Sequence, residues 1–241
     1  MFITSVHMNI NDHLDAVVFD VDGTLLDTLP SLAAAANEVL EGAGLNTISL
    51  QMLRPALSEG LVPMFRQALV LQTEAIPDET AARLEHDYLA LYRQHGLATA
   101  RPFAGAAATL EAFAAKGLRL AICTNRDRAS TDALLAAASF PVEFEVIVGI
   151  GDAPLAKPAA DPLLRVLHLM GLAPSQALFI GDSGIDARCA HAAQVRFAGH
   201  LGGYANHPDD LLPQVVSFNV YDQLTQWVLQ RLPTDKEACH A

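Results

Sequence analysis

The sequence predicts an α/β protein in which a Rossmann-like parallel sheet carries an inserted, smaller all-α domain. Short apolar runs rich in β-branched residues recur along the chain, and such runs predict buried strands. Ala- and Leu-rich segments separate them, and alternation of strands with helices is typical of a parallel sheet. The stretch 29–99 shows helical patterns without a convincing strand, which indicates an insertion between the first strand and the second.

The first predicted strand is Asp15–Val21, which Gly23 follows at a turn. Further strands are predicted at Leu118–Thr124, Phe144–Val148, Ala177–Ile180 and, from a weaker pattern, Val195–Ala198. The intervening helices are predicted at Ala106–Ala115, Thr131–Ala138, Pro162–Met170 and Asp186–Ala193.

The expected domain organisation is a discontinuous core with one insertion. The core comprises 1–28 and 100–233, the helical cap comprises 29–99, and 234–241 form a polar C-terminal tail. A chain of 241 residues exceeds one average domain but is short for two, which favours a main domain with an insertion. Pro30 and the segment 101–105 mark the two linkers.

Composition excludes several classes of partner. The net charge is −12, from 27 acidic and 15 basic residues, and no run of Lys or Arg forms a patch for nucleic acid. The start of the chain has no signal-peptide pattern and no apolar run reaches membrane-spanning length, so we expect a cytoplasmic protein without a membrane partner. Three widely spaced cysteines indicate neither a disulfide framework nor a zinc site. The oligomeric state is not encoded in any pattern that we identify.

Polar residues follow the predicted strands at the ends where ligands bind in parallel sheets. Asp20 and Asp22 end the first strand, and Thr124 with Asn125 ends the second. Lys157, which precedes Pro158, follows the third strand, and the segment Gly181–Asp186 follows the fourth. Residues that are distant in sequence are therefore expected to meet at one edge of the sheet.

These four segments, beginning with Phe19–Thr24, resemble the four motifs of the haloacid dehalogenase superfamily in order and spacing. The similarity is to its phosphatase branch with a helical cap after the first motif, and it runs from about Asp15 to Ala198. It implies a magnesium-dependent phosphomonoester hydrolase that works through an aspartyl-phosphate intermediate. Phosphoglycolate-type esters are the substrates of the most similar members.

The resemblance assigns the first motif to the chemical steps. Asp20 is expected to be the nucleophile and a metal ligand, since a carboxylate that attacks phosphorus gives an acyl phosphate that water later cleaves. Asp22 is expected to be the general acid and base, with its backbone carbonyl on the metal. We expect mutual repulsion between Asp20 and Asp22 to help keep one proton available.

The other motifs are expected to hold the phosphoryl group and the metal. Thr124, the backbone amides that follow it at Asn125 and Arg126, and Lys157 are assigned to the phosphoryl oxygens. Asp182 is expected to complete the metal site. Asp186 either supports the metal through water or orients Lys157. An all-oxygen ligand set suits Mg²⁺ and disfavours zinc.

The cap offers weaker indications. Arg54 and the segment Ser58, Glu59 and Gly60 match the region where related phosphatases contact substrate, although an arginine on a surface helix is an equally good interpretation of Arg54. No lysine occurs in 1–115, so the Schiff-base lysine of phosphonate-cleaving relatives is absent. True dehalogenases lack the second aspartate that Asp22 represents.

Three functions remain open from sequence. The first is a phosphatase for a small phosphorylated metabolite, with that phosphoester as its small-molecule partner. The second is a β-phosphoglucomutase-like enzyme, which needs a bisphosphate activator and releases little phosphate. The third is a non-catalytic binding or regulatory protein on the same fold, which need not keep the complete set of acids.

Overall fold

A computed structural model describes residues 13–57, 61–95 and 100–232 of the chain. Its strands are β1 Ala16–Phe19, β2 Leu26–Asp27, β3 Arg101–Pro102, β4 Arg119–Asp127, β5 Val146–Ile150, β6 Ala177–Gly181, β7 Arg196–His200 and β8 Val216–Phe218. Six of them form one sheet in the order β5-β4-β1-β6-β7-β8, with every neighbouring pair parallel. Strand β1 lies where the order of addition reverses, which is the position at which open α/β sheets bind ligands.

Nine α-helices accompany these strands in the described part of the chain. They are α1 Leu29–Gly42, α2 Leu50–Leu57, α3 Leu61–Val70, α4 Asp78–His95, α5 Ala106–Ala115, α6 Arg128–Ala138, α7 Asp161–Met170, α8 Gly184–Ala192 and α9 Tyr221–Leu229. None of these helices combines the length and the apolar composition that crossing a bilayer requires.

The period-2 alternation of β1 divides the core between the two faces of the sheet. Val17 and Phe19 pack in a cluster with residues of α5, α6 and α9, whereas Ala16 and Val18 pack in a second cluster with residues of α7 and α8. All four side chains are fully buried. A strand that is buried on both faces has no polar side, which explains its continuous apolar sequence.

Helices α1–α4 lie between β2 and β3 and share a hydrophobic cluster to which Tyr204, from outside the insertion, also belongs. Its centre includes the stacked rings of Phe65 and Tyr88, whose centroids are 4.6 Å apart. Strands β2 and β3 pair antiparallel at the base of this insertion, with Leu26 opposite Pro102. The domain boundaries given above remain a prediction.

The α/β class and the parallel sheet are confirmed, but some sequence expectations were incomplete. Strand β4 extends to Asp127, beyond the predicted end at Thr124, with an irregular register between Cys123 and Asp127. The short strand β8 and the β2–β3 pair were not predicted. The turn after α8 has Gln194 at φ 58°, a left-handed conformation that glycine adopts more readily.

Candidate active site

The carboxyl edge of the central strands brings the four predicted motifs around one cavity. Its described lining residues are Asp20, Asp22, Leu61, Thr124, Asn125, Arg126, Lys157, Asp182, Ser183, Ile185, Asp186 and Tyr204. The sequence predicted nine of them as site residues or as their polar neighbours: Asp20, Asp22, Thr124, Asn125, Arg126, Lys157, Asp182, Ser183 and Asp186. Leu61 of α3 is the contribution of the helical insertion.

Lys157 lies between two carboxylates. Its Nζ is 2.8 Å from Asp20 Oδ1 and 2.7 Å from Asp186 Oδ1, and it donates a hydrogen bond of 3.0 Å to the Cys123 carbonyl. Burial opposes the charge on Lys157, but Asp186 and Asp20 outweigh burial and hold its pKa well above the usual value. Lys157 is therefore a fixed positive charge beside the Asp20 carboxylate.

Asp20 is buried, and burial raises its pKa from 3.8 to about 7 in spite of the opposing effect of Lys157. Asp186 and Asp22 raise it further by repulsion. A pKa this high means that the positive charge around Asp20 is too small to stabilise its ionised form fully. A bound cation would supply that charge.

Asp182 is fixed by hydrogen bonds to both oxygens. Thr24 Oγ1 donates to Oδ1 at 2.9 Å, and the Tyr204 backbone N–H donates to Oδ2 at 2.7 Å. Burial, together with repulsion from Asp186 and Asp20, raises its pKa well above the usual value. Two glycines allow this tight packing: a Cβ on Gly23 would lie 2.1 Å from Asp182 Oδ2, and one on Gly203 would lie 2.3 Å from Asp182 Cβ.

The two carboxylate oxygens of Asp186 have different partners, one in the loop 182–183 and the other at Lys157. Oδ2 accepts hydrogen bonds from Ser183 Oγ at 2.6 Å and from the backbone N–H groups of Asp182 and Ser183 at 3.3 and 3.1 Å. Oδ1 accepts from Lys157. Of the two roles that the sequence left open for Asp186, this geometry favours the orientation of Lys157.

The acids fit a hard divalent cation. Asp20, Asp182 and Asp186 can each offer one carboxylate oxygen such that the three atoms lie within 4.8 Å of one another. All three are buried, and no His or Cys belongs to the group. Oxygen ligands of this kind suit Mg²⁺.

Asn125 links two motifs through its side chain. Its Nδ2 donates to the Lys157 carbonyl at 2.9 Å, and its Oδ1 accepts from the Lys157 backbone N–H at 2.9 Å. Thr124 is buried, and its Oγ1 accepts from the Arg126 backbone N–H at 3.2 Å. The amide of Arg126, which we expected to face a phosphoryl oxygen, is thus directed at Thr124 instead.

Asp22 is held by groups that the sequence did not indicate. Thr28 Oγ1 donates to its Oδ1 at 2.6 Å, and Arg126 donates through Nε to Oδ2 at 3.0 Å and through Nη2 to Oδ1. Burial alone would raise the pKa of Asp22, but Arg126, together with the Thr28 hydroxyl and Lys157, outweighs burial and lowers it. Repulsion between Asp20 and Asp22 raises the pKa of Asp20, so the proton that the pair retains lies on Asp20, whereas Arg126 stabilises the Asp22 carboxylate.

Tyr204 connects the site to the start of the helical insertion. Its hydroxyl accepts hydrogen bonds from the backbone N–H groups of Thr28 at 2.7 Å and Leu29 at 2.9 Å, and it donates to Asp27 Oδ1 at 2.8 Å. Sequence reasoning missed Tyr204 because it lies outside every motif. Its neighbour in the site, Asp182, is 22 residues away along the chain.

The predicted cap contacts cannot be placed in this site. Ser58, Glu59 and Gly60 lie outside the described residues, as does the side chain of Arg54. Arg54 belongs to helix α2.

The fold and this arrangement of acids define a class of protein. The family model of haloacid dehalogenase-like hydrolases matches residues 17–200, so the chain belongs to that family. It is 35% identical over 181 residues to the phosphoglycolate phosphatase of Thiobacillus denitrificans, which covers 75% of this chain and 80% of that protein. The phosphoglycolate phosphatase of Rhodospirillum rubrum is 34% identical over 218 residues, 88% of this chain and 90% of its own length.

A solved structure shows the same architecture. The crystal structure from Haemophilus somnus, described as that of a predicted phosphoglycolate phosphatase, superposes with a TM-score of 0.83 at 25% identity. The match covers 89% of this chain and 98% of that one. The helical insertion is therefore included in the similarity.

Proposed function

We propose that this protein is a magnesium-dependent phosphomonoester hydrolase that acts on a small phosphorylated metabolite of the phosphoglycolate type. The observation that carries the proposal is the environment of Asp20, a buried carboxylate with Lys157 Nζ 2.8 Å from one oxygen and two further acids within reach of a shared cation. The relatives support the substrate type, because they are phosphoglycolate phosphatases and the similarity extends over most of their length.

The first half of the reaction forms an aspartyl phosphate. Asp20 attacks phosphorus, an oxygen–phosphorus bond forms, and the bond from phosphorus to the leaving oxygen breaks. Lys157 and Thr124 hold the phosphoryl oxygens and stabilise their charge. Asp22, once protonated, gives its proton to the leaving alkoxide.

The second half regenerates the enzyme. Asp22, now a carboxylate, takes a proton from water while that water attacks phosphorus, and the bond between phosphorus and Asp20 breaks. Mg²⁺ held by Asp20, Asp182 and the Asp22 carbonyl would neutralise phosphoryl charge and align the in-line attack. Asp186 keeps Lys157 in place through both halves.

Helices α1–α4 are proposed to act as a cap that covers the site and excludes water during the reaction. Arg54 and the segment 58–60 remain proposed substrate contacts within it. A cytoplasmic location is proposed together with this metabolic role.

The experiment is phosphate release from a panel of small phosphoesters, with Mg²⁺ and with chelator, for the wild type and Asp20→Asn. We expect activity only with the metal, and a loss of about 10⁴-fold or more in the variant because the nucleophile is gone. Asp132→Asn, on the exposed face of α6, is the matched control and should retain wild-type activity.

Two outcomes would contradict the proposal. Activity that survives in Asp20→Asn excludes the aspartyl phosphate, and activity that ignores the chelator excludes the metal. Isomerisation of a sugar phosphate that depends on a bisphosphate, with little phosphate released, would support the mutase alternative instead.

A further inference from the structure

Arg126 is a second buried cation beside the reacting groups. Among the described residues that line the cavity, Lys157 and Arg126 are the two with positively charged side chains. The Arg126 side chain is 1% exposed. Lys157 contacts the nucleophile Asp20, whereas Arg126 contacts Asp22, so Arg126 is placed to meet a different part of the substrate.

The Arg126 guanidinium joins the core to the helical insertion. Two of its nitrogens donate to Asp22, and Nη2 also donates to the Tyr92 hydroxyl of α4 at 3.0 Å. The guanidinium carbon lies 5.2 Å from the centre of the Tyr92 ring. The remaining nitrogen, Nη1, is buried and has no hydrogen-bond partner among the described residues. A buried charged N–H group without an acceptor is costly, so an acceptor from a ligand would be favourable here.

The position of the leaving group follows from Asp22. To receive a proton, the leaving oxygen must come within hydrogen-bond reach of the Asp22 carboxyl group. Arg126 donates to that same carboxyl group, so the carbon atoms attached to the leaving oxygen lie next to the guanidinium. An anionic group one carbon further on would meet N–H donors at the edge of the guanidinium, where arginine binds carboxylates, including the unpaired Nη1.

We propose that Arg126 is a specificity-determining residue that binds the carboxylate of the leaving group. The substrate class is then the phosphate esters of small hydroxy acids, in preference to esters of neutral alcohols of the same size. This inference rests on the proposed hydrolase activity. When the substrate binds, its carboxylate takes donors from Asp22, and the Asp22 carboxyl group turns towards the leaving oxygen.

The test compares kcat/KM for phosphoglycolate and for ethyl phosphate, which has the same chain length and no carboxylate. The wild type should prefer phosphoglycolate. In Arg126→Gln we expect the ratio of the two kcat/KM values to fall by about 10- to 100-fold, mainly through a higher KM for phosphoglycolate. Arg126→Lys keeps the charge but loses the two-pronged geometry, so its ratio should lie between those of the wild type and Arg126→Gln.

Arg128→Gln is the matched control, because Arg128 is exposed and pairs with Asp132 on the surface of α6. Its ratio should equal that of the wild type. An Arg126 role in folding alone would lower both kcat/KM values together, so an unchanged ratio in either folded Arg126 variant would overturn the assignment. A wild type that hydrolyses both esters equally would also overturn it, whereas a wild type that hydrolyses neither would overturn the proposed hydrolase itself.

Discussion

The two buried cations of the site are surrounded differently. In the described part of the chain, Lys157 contacts two carboxylates of the core directly, and a third, Asp182, lies in the same cluster. Arg126 faces one carboxylate, Asp22, and also contacts the helical insertion through Tyr92. Negative charge is thus in excess around Lys157 and balanced around Arg126. This difference supports the two proposals made above, in which the first region serves a cation and phosphoryl chemistry and the second serves the choice of substrate.

The largest effect is expected from removal of the shared ammonium group. In Lys157→Met, Asp20 and Asp186 lose their counter-charge, so we expect activity to fall by about 10²- to 10³-fold and the free energy of unfolding to fall by about 3–5 kcal/mol. Phosphate-release assays and chemical denaturation measure the two effects. Lys116→Met, at an exposed lysine after α5, should change neither. A stable and fully active Lys157→Met would show that the carboxylates do not need Lys157.

The excess of negative charge predicts a pH-dependent stability of the metal-free protein. The pKa of Asp20 is about 7 in the folded state and about 3.8 when unfolded, so between these values the folded state holds the extra proton. The Asp20 contribution to the free energy of unfolding must then fall as pH rises, by about 1.4 kcal/mol per pH unit, and level off above pH 7.

Denaturation of the wild type and Asp20→Asn from pH 5 to 8, with chelator present, gives this contribution by difference. Asp22→Asn is the control for the balanced region. Because the pKa of Asp22 is lowered in the folded state, both of its own pKa values lie below this window. Asp22 also raises the pKa of Asp20, so the difference between Asp22→Asn and the wild type should vary with pH only through that effect, and less than the difference for Asp20→Asn. A flat difference for Asp20→Asn would mean that the two regions do not differ in charge balance.

The smallest effect concerns the junction with the insertion. Tyr204→Phe removes a hydroxyl that satisfies the backbone N–H groups of Thr28 and Leu29, and we expect a loss of about 1–3 kcal/mol in the free energy of unfolding. The Tyr88 hydroxyl is buried without a partner among the described residues. Tyr88→Phe should therefore stay within about 0.5 kcal/mol of the wild type. Equal losses in the two variants would exclude a specific role for the Tyr204 hydroxyl.

The sequence predicted the sheet and the convergence of the motifs for definite physical reasons. Apolar runs such as that of β1 indicate strands that are buried on both faces of the sheet. Parallel strands place their carboxyl ends at one edge of that sheet. The residues that follow these strands were therefore expected to approach one another, among them Asp20, Thr124, Lys157 and Asp182. Strand β8 was missed because three residues, of which Ser217 is exposed, carry too little apolar pattern.

The partners of Asp22 could not be predicted in the same way. Arg126 is 104 residues from Asp22, and Tyr92 belongs to an insertion whose docking on the core has no local signal. An arginine in sequence is most often exposed, so its burial is visible only in the folded chain. Its place directly after Thr124 and Asn125 was the one available indication.

The backbone packing around Asp182 bears on how this protein can diverge. Gly23 and Gly203 approach Asp182 so closely that any side chain on either would displace the acid. We expect single substitutions there to abolish function rather than alter it. Neither glycine belongs to helices α1–α4, so we expect a descendant with a new substrate to differ in its helical insertion and in the contact of that insertion with Arg126, while both glycines stay.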